Sequence, residues 1–191
     1  MKQWEQYKEL MDHEIKDLNI KLTASGYKLD GKQGIKIGLK FNKLKSVDYI
    51  SDDEKLRLVE FSDLYSQQHS LLQKISDIKT SEDESAFVLT SKRKQIKAAY
   101  NIINKELAEK YVGTKHLIDH MQITAPCAEL ASAHQDTNTP SYYHIVISNP
   151  NKNIAPENLI ELNRFFEHLA STVNEKIPSQ WNVKVRVDRL S

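Results

Sequence analysis

Two seven-residue segments of this chain alternate apolar and polar residues at strict β period. They are Ile35-Lys36-Ile37-Gly38-Leu39-Lys40-Phe41 and Trp181-Asn182-Val183-Lys184-Val185-Arg186-Val187. Odd positions are apolar in both, and most even positions are Lys or Arg. Side chains on a strand point alternately to opposite faces, so each segment is predicted to bury one face and turn a basic face to solvent. If both strands join one sheet, Lys36, Lys40, Lys184 and Arg186 converge.

The second segment closes a compact unit. Strand 142–148 is followed by Asn149-Pro150-Asn151, then by a helix over 156–176, then by Pro178 and strand 181–189. Pro156 suits the first turn of that helix. Leu159, Leu162, Phe166, Leu169 and Val173 recur at its three- and four-residue spacing. The two strands are expected to run parallel through a right-handed crossover, or to flank a third strand. The natural third strand is 35–41.

The N-terminal part reads as mainly helical. Trp4, Tyr7, Met11, Ile15, Leu18 and Leu22 share one face of a helix over 3–22. Asp30-Gly31 is a turn signal inside a predicted hairpin at 27–41. Ser51-Asp52-Asp53-Glu54 has the form of a capping box, which predicts a helix to about residue 78. Ser81-Glu82-Asp83-Glu84 repeats the device before a stripe of Ile96, Tyr100, Ile103, Leu107 and Tyr111. Gly113 is expected to end or kink that helix, with a continuation through Met121, so that 51–121 forms a long helical hairpin. A small helix at 126–133 precedes a polar linker at 135–141. The expectation is an α+β chain: residues 1–134 mainly helical with a Lys-rich strand, residues 142–191 a β-α-β unit, and a small mixed sheet shared by two lobes of one compact domain.

Composition narrows the class. The chain has 191 residues, 39% hydrophobic and 28% charged, with a formal net charge of +1. That profile is globular and offers no global basic field. The charge is segregated, since residues 28–45 hold six lysines against the single acid Asp30. No apolar run is long enough for a transmembrane helix, so no membrane partner is expected. The charged start and the lone Cys127 point to a reducing, cytoplasmic setting.

Candidate chemistry follows from these placements. Tyr142 and His144 share one parity on their strand and add an aromatic ring and a hydrogen-bonding group to the basic face. Basic groups interleaved with aromatics suit a nucleic-acid backbone and unstacked bases. His116 and His120 lie one helical turn apart, with Asp119 beside them, and form the candidate metal cluster, which Cys127 and His134 would extend. The glutamate that follows the first histidine in helical zinc proteases is missing, and the expectation is no metal and no cofactor. Cys127 with His134 or His144 is too permissive a pattern to define a nucleophile. The glycines at 31, 34 and 38 lack the Gly-Lys-Ser or Gly-Lys-Thr ending of a phosphate loop. The functional expectation is a non-enzymatic accessory protein that contacts nucleic acid through Lys36, Lys40, Tyr142, His144, Lys184 and Arg186 within a larger assembly. The alternatives are a structural or regulatory subunit that binds protein or a second copy, and a metal-dependent enzyme centred on His116 and His120.

Overall fold

A computed structural model describes residues 5–13, 15, 21–51, 57–64, 86–123, 140–148 and 156–190. The described chain combines helices with one mixed sheet of six strands. Strands β1 (Lys8–Leu10), β2 (Ser25–Lys28), β3 (Tyr49–Ser51) and β4 (Arg57–Ser62) are joined antiparallel in chain order. Strands β5 (Ser141–Ile147) and β6 (Val183–Arg189) then add in parallel, β5 against β4 and β6 against β5. A four-residue helix α1 (Ile35–Gly38) links β2 to β3. Helix α2 (Ala86–Ile123) lies between β4 and β5 in the chain, and helix α3 (Pro156–Asn174) between β5 and β6.

The main core lies on one side of the sheet. Leu58, Tyr143, Ile145 and Ile147 meet Leu107, Tyr111 and Ile118 of α2 and Phe166, Leu169 and Val173 of α3. Each such side chain, fully buried, is worth roughly 1.5–3 kcal/mol of transfer free energy. Tyr143 donates its hydroxyl to the Leu107 carbonyl at 3.1 Å, and the Tyr111 and Ser141 hydroxyls lie 2.7 Å apart. Both tyrosines are thus held at the helix–sheet contact with their polar ends satisfied. The opposite face carries a smaller cluster of Met11, Tyr49 and Val59, flanked by Leu22, Phe61 and Val146.

The β-α-β unit forms as its periodicity predicts. The helix through Ile96, Leu107 and Tyr111 also forms, within α2, whereas several other expectations need correction. Segment 35–41 is not a strand: Ile35–Gly38 is a helical turn, and the Lys36 N–H donates to the Leu29 carbonyl at 3.2 Å. Alternation places an apolar residue at every second position, so it also supplies the i, i+4 pair that one helical turn needs. Ile35 is buried and Leu39 packs against the same core. The helix expected over 3–22 is interrupted by β1, which pairs with β2. The helix expected from Ser51 gives way to β4, and the third strand beside the β-α-β unit is β4. β4 lies between β3 and β5, so Leu58, Val59 and Glu60 are all buried and the run shows no clean alternation. Sheet pairing on both edges overrides the local helical signal. Of the helical hairpin at 51–121, only α2 stands in the described residues. The helix at 126–133 and most of the linker at 135–141 lie outside them.

Gly113 does not end α2, which runs on to Ile123. A Cβ at this position would fall 1.9 Å from the Lys45 carbonyl oxygen, so glycine lets the helix approach the 44–45 backbone. The next residue, Thr114, accepts the Val47 N–H at 2.9 Å and donates to the Lys110 carbonyl at 2.8 Å. This contact sets the helix against the segment leading into β3. In an open helix, Gly→Ala would stabilise by about 1 kcal/mol. Here the clash dominates, and Gly113→Ala is expected to destabilise by roughly 1–3 kcal/mol. A urea midpoint at or above that of wild type would refute the close approach.

Candidate functional site

The residues expected to form a basic sheet face divide into two groups. The β5–β6 register sets Tyr142 beside Lys184 and His144 beside Arg186, so these four share one face. Asp188 accepts from Arg186 Nε at 2.7 Å, and its other oxygen lies 3.2 Å from His144 Nδ1. It offsets part of the positive charge. Lys36 and Lys40 do not join this face, because their segment is not a strand. Lys36 is buried, ion-paired with Asp30 at 2.5 Å, and donates to the Leu44 carbonyl at 3.3 Å. Lys40 is exposed in left-handed backbone with φ 63°.

The histidine pair on α2 does not converge on a common point. The His116 ring meets Trp181 edge-on at 6.1 Å, and the His120 ring meets Phe41 at 4.6 Å. Asp119 is exposed. Among the described residues, no group of three His, Cys, Asp or Glu side chains is placed to hold a metal ion. Cys127 and His134 lie outside the described residues.

A different cluster sits where β3 begins and β4 ends. The β3–β4 register pairs Tyr49 with Val59, and its continuation by one residue sets Asp48 beside Glu60. Asp48 Oδ2 accepts the Phe61 N–H at 2.7 Å. Its carbonyl accepts the Leu29 N–H at 2.8 Å, which draws the end of β2 and Asp30 toward the same place. Across the core, α2 brings Lys110 onto Glu60, one turn before the Thr114 contact that sets the helix. Lys110 Nζ donates to Glu60 Oε1. Glu60 Oε2 is buried and has no hydrogen-bond partner.

Glu60 is 1% exposed. Burial pushes its carboxyl pKa up to about 8, and the Asp48 charge adds to the rise against the opposing pull of Lys110. Burial works to lower Lys110, but Glu60 and Asp48 outweigh it and hold the ammonium above the usual lysine value. The group is thus a carboxylic acid poised near neutrality beside an aspartate and a permanent cation. Such perturbed groups mark functional sites when they border a cavity.

A cavity of about 360 Å³ opens beside them, bordered by Asp12, Lys28, Asp30, Asp48, Phe61 and Lys110. Lys110 also borders a recess of about 30 Å³ with Glu60, Ser62 and Glu106. No family model, no curated protein and no solved structure matches this chain. The functional reading therefore rests on this geometry.

Two carboxylates on neighbouring strands can hold a hard divalent cation. Mg²⁺ and Mn²⁺ accept one or two carboxylates and complete their shells with main-chain oxygen, water and substrate phosphate. A dication would relieve the like-charge pressure on Glu60 and occupy its unpartnered oxygen. One trace of this site is legible in the sequence: Glu60 is an acid set inside the apolar run Leu58-Val59-Glu60-Phe61. A charge in a run that reads as fully buried is there for a reason other than packing. Asp48 and Lys110 carry no comparable local signal.

Proposed function

We propose that the chain is a divalent-cation-dependent phosphodiesterase acting on nucleic acid, with Asp48 and Glu60 as cation ligands and Lys110 as their cationic partner. The observation that carries the reading is Glu60: buried, bonded through one oxygen to Lys110, unpartnered at the other, and beside Asp48, which with Lys110 borders the open cavity. A bound cation supplies Lewis-acid polarisation of a phosphoryl oxygen. Asp48 stays oriented by the Phe61 N–H, and Lys110 adds positive charge where negative charge develops. Glu60 must give up its proton to ligate, so cation affinity should rise as pH approaches about 8.

This reading departs from the non-enzymatic expectation, because the residues that support it are remote in sequence. It moves the metal-dependent alternative away from His116 and His120. Calorimetric titration with Mn²⁺, followed by incubation with single- and double-stranded DNA and RNA, tests it. Stoichiometric uptake with cation-stimulated cleavage is expected. A wild-type chain that takes up neither Mn²⁺ nor Mg²⁺ would overturn it.

A second reading keeps nucleic-acid contact without catalysis. It is favoured by the register that brings Tyr142, His144, Lys184 and Arg186 onto one face. The Lys184→Glu, Arg186→Glu double variant is expected to bind nucleic acid more weakly. Its salt dependence should flatten by roughly one slope unit for each lost phosphate contact. Both side chains are exposed, so stability should change by only about half a kcal/mol per site. Unchanged binding over a salt series would remove this face from consideration.

A further inference from the structure

The cavity has two walls of different origin. Lys110 reaches it from α2, on the face of the sheet that carries Glu60. Lys28 reaches it from the other face, since the β2–β3 register sets Lys28 beside Tyr49, and Tyr49 belongs to the smaller cluster on that side. The cavity therefore wraps the end of the sheet where β3 starts, with one lysine on each wall.

The charges on the Lys28 wall are arranged in a particular way. Lys28 Nζ lies 2.9 Å from Glu9 Oε1, and the Tyr49 hydroxyl donates to the same oxygen at 2.8 Å. Tyr49 also accepts the Asp12 N–H at 3.2 Å. Glu9 thus keeps a hydrogen bond of its own if Lys28 turns away. The Lys28–Glu9 pair is partly exposed, where an ion pair holds its partners weakly. The Glu9 hydrogen bond keeps the Lys28 ammonium above its ordinary pKa, so it is charged at any working pH. Of the other acids on the rim, Asp30 is already paired with Lys36.

We infer that Lys28 is the substrate-anion anchor of this site, binding a non-bridging oxygen of the phosphodiester from the wall opposite Lys110. The inference rests on the phosphodiesterase reading above and deepens it. With Asp48 and Glu60 neutralised by a dication and Asp30 paired with Lys36, the two lysines face one further acid on the cavity border, Asp12. In the free protein Lys28 borders the cavity while its ammonium is paired with Glu9. On binding, the phosphate oxygen replaces Glu9, and Glu9 remains on Tyr49.

The test uses the full chain with Mn²⁺, bis(4-nitrophenyl) phosphate as substrate and inorganic phosphate as inhibitor. Lys28→Met should bind Mn²⁺ as wild type does. Its KM and its inhibition constant for phosphate should rise roughly tenfold to a hundredfold, the loss of one charge-assisted hydrogen bond, with kcat nearly unchanged. Lys28→Arg should restore most of the loss. Glu9→Gln separates anchoring from a structural role, because it frees Lys28 while preserving an acceptor for Tyr49. Its KM and phosphate constant should equal or fall below those of wild type. If the pair is only structural, Lys28→Met and Glu9→Gln will shift together, and that result overturns the inference. Unchanged KM in Lys28→Met with normal Mn²⁺ uptake overturns it while leaving the cation site standing. A wild-type chain without Mn²⁺ uptake removes the phosphodiesterase reading and this inference with it.

Discussion

Exchange of Asp48 for asparagine is expected to abolish cation-dependent cleavage and to weaken Mn²⁺ binding beyond the roughly 10–100-fold that loss of an outer-shell partner costs. The substitution removes a formal charge and a ligand oxygen but keeps the shape. The amide would still offer a carbonyl oxygen to the Phe61 N–H that Asp48 accepts at 2.7 Å, and the backbone bond to Leu29 is untouched. The fold should therefore survive, with an unchanged circular dichroism spectrum and urea midpoint. A second consequence runs through Glu60. Asp48 is one of the causes that push the Glu60 carboxyl upward, so its neutralisation should lower that pKa. Glu60 would then ionise at lower pH in the variant, although the cation that its charge serves is no longer held. Mn²⁺ affinity equal to wild type in Asp48→Asn would remove Asp48 from the site. Loss of affinity together with loss of fold would be exposed by the same midpoint measurement, and Asp48→Glu, which keeps the charge, then separates the two effects.

The second large effect concerns stability against pH. The Glu60 carboxyl is raised from an ordinary 4.5 to about 8 on folding, chiefly by burial. Between those values the unfolded chain has released this proton and the folded chain still holds it. Folding binds a proton in that window, so stability falls as pH rises. The contribution is fully present below about pH 4.5 and is lost as pH passes about 8, at a slope of about 1.4 kcal/mol per pH unit. Lys110 is held above its ordinary value of 10.5, so it stays charged across the window and adds no slope there. Glu60→Gln cannot ionise and should lack the slope. It should match wild type near pH 5 and exceed it by a few kcal/mol near pH 9, while losing Mn²⁺ binding. Stability gained at the expense of a ligand is the expected signature of a strained functional site. Urea midpoints for both proteins across the pH series decide the matter. Parallel profiles would mean that Glu60 does not carry the proton. Saturating Mn²⁺ should also recover stability lost by wild type at high pH, because the cation replaces the proton on Glu60.

These effects originate in residues that local pattern does not connect. Leu159, Leu162, Phe166, Leu169 and Val173 repeat at helical spacing, and α3 forms where they do. The alternation through Val183, Val185 and Val187 becomes β6, with its basic residues outward. In both cases the period that buries one face belongs to a single conformation over its whole length. The segment 35–41 shows the limit of that argument. Its alternation is as strict as that of β6, yet with Gly34 before it and Gly38 within it the chain turns back, and Lys36 satisfies Asp30 and the Leu44 carbonyl in place of solvent. The helix expected from Ser51 to about residue 78 gives way at 57–62 for a related reason: β4 acquires two sheet neighbours, and burial on both faces erases the period.

Spacing alone was enough for the strands and helix of the β-α-β unit and for the helix through Leu107 and Tyr111; it left the last two strands either parallel neighbours or flanking a third, and their pairing sets Tyr142, His144, Lys184 and Arg186 on one face. Each depends on periodicity within one element, or on register between two neighbouring elements. Packing of the whole chain was needed to make β4 the third strand, to take Lys36 and Lys40 off the basic face, and to bring Asp48, Glu60 and Lys110 together. Asp48 reaches Glu60 through strand register, and Lys110 reaches it because Gly113 and Thr114 let α2 settle against the 44–47 segment. Burial and charge proximity are properties of the packed chain, and a carboxyl moved to about 8 exists only where both act on it at once.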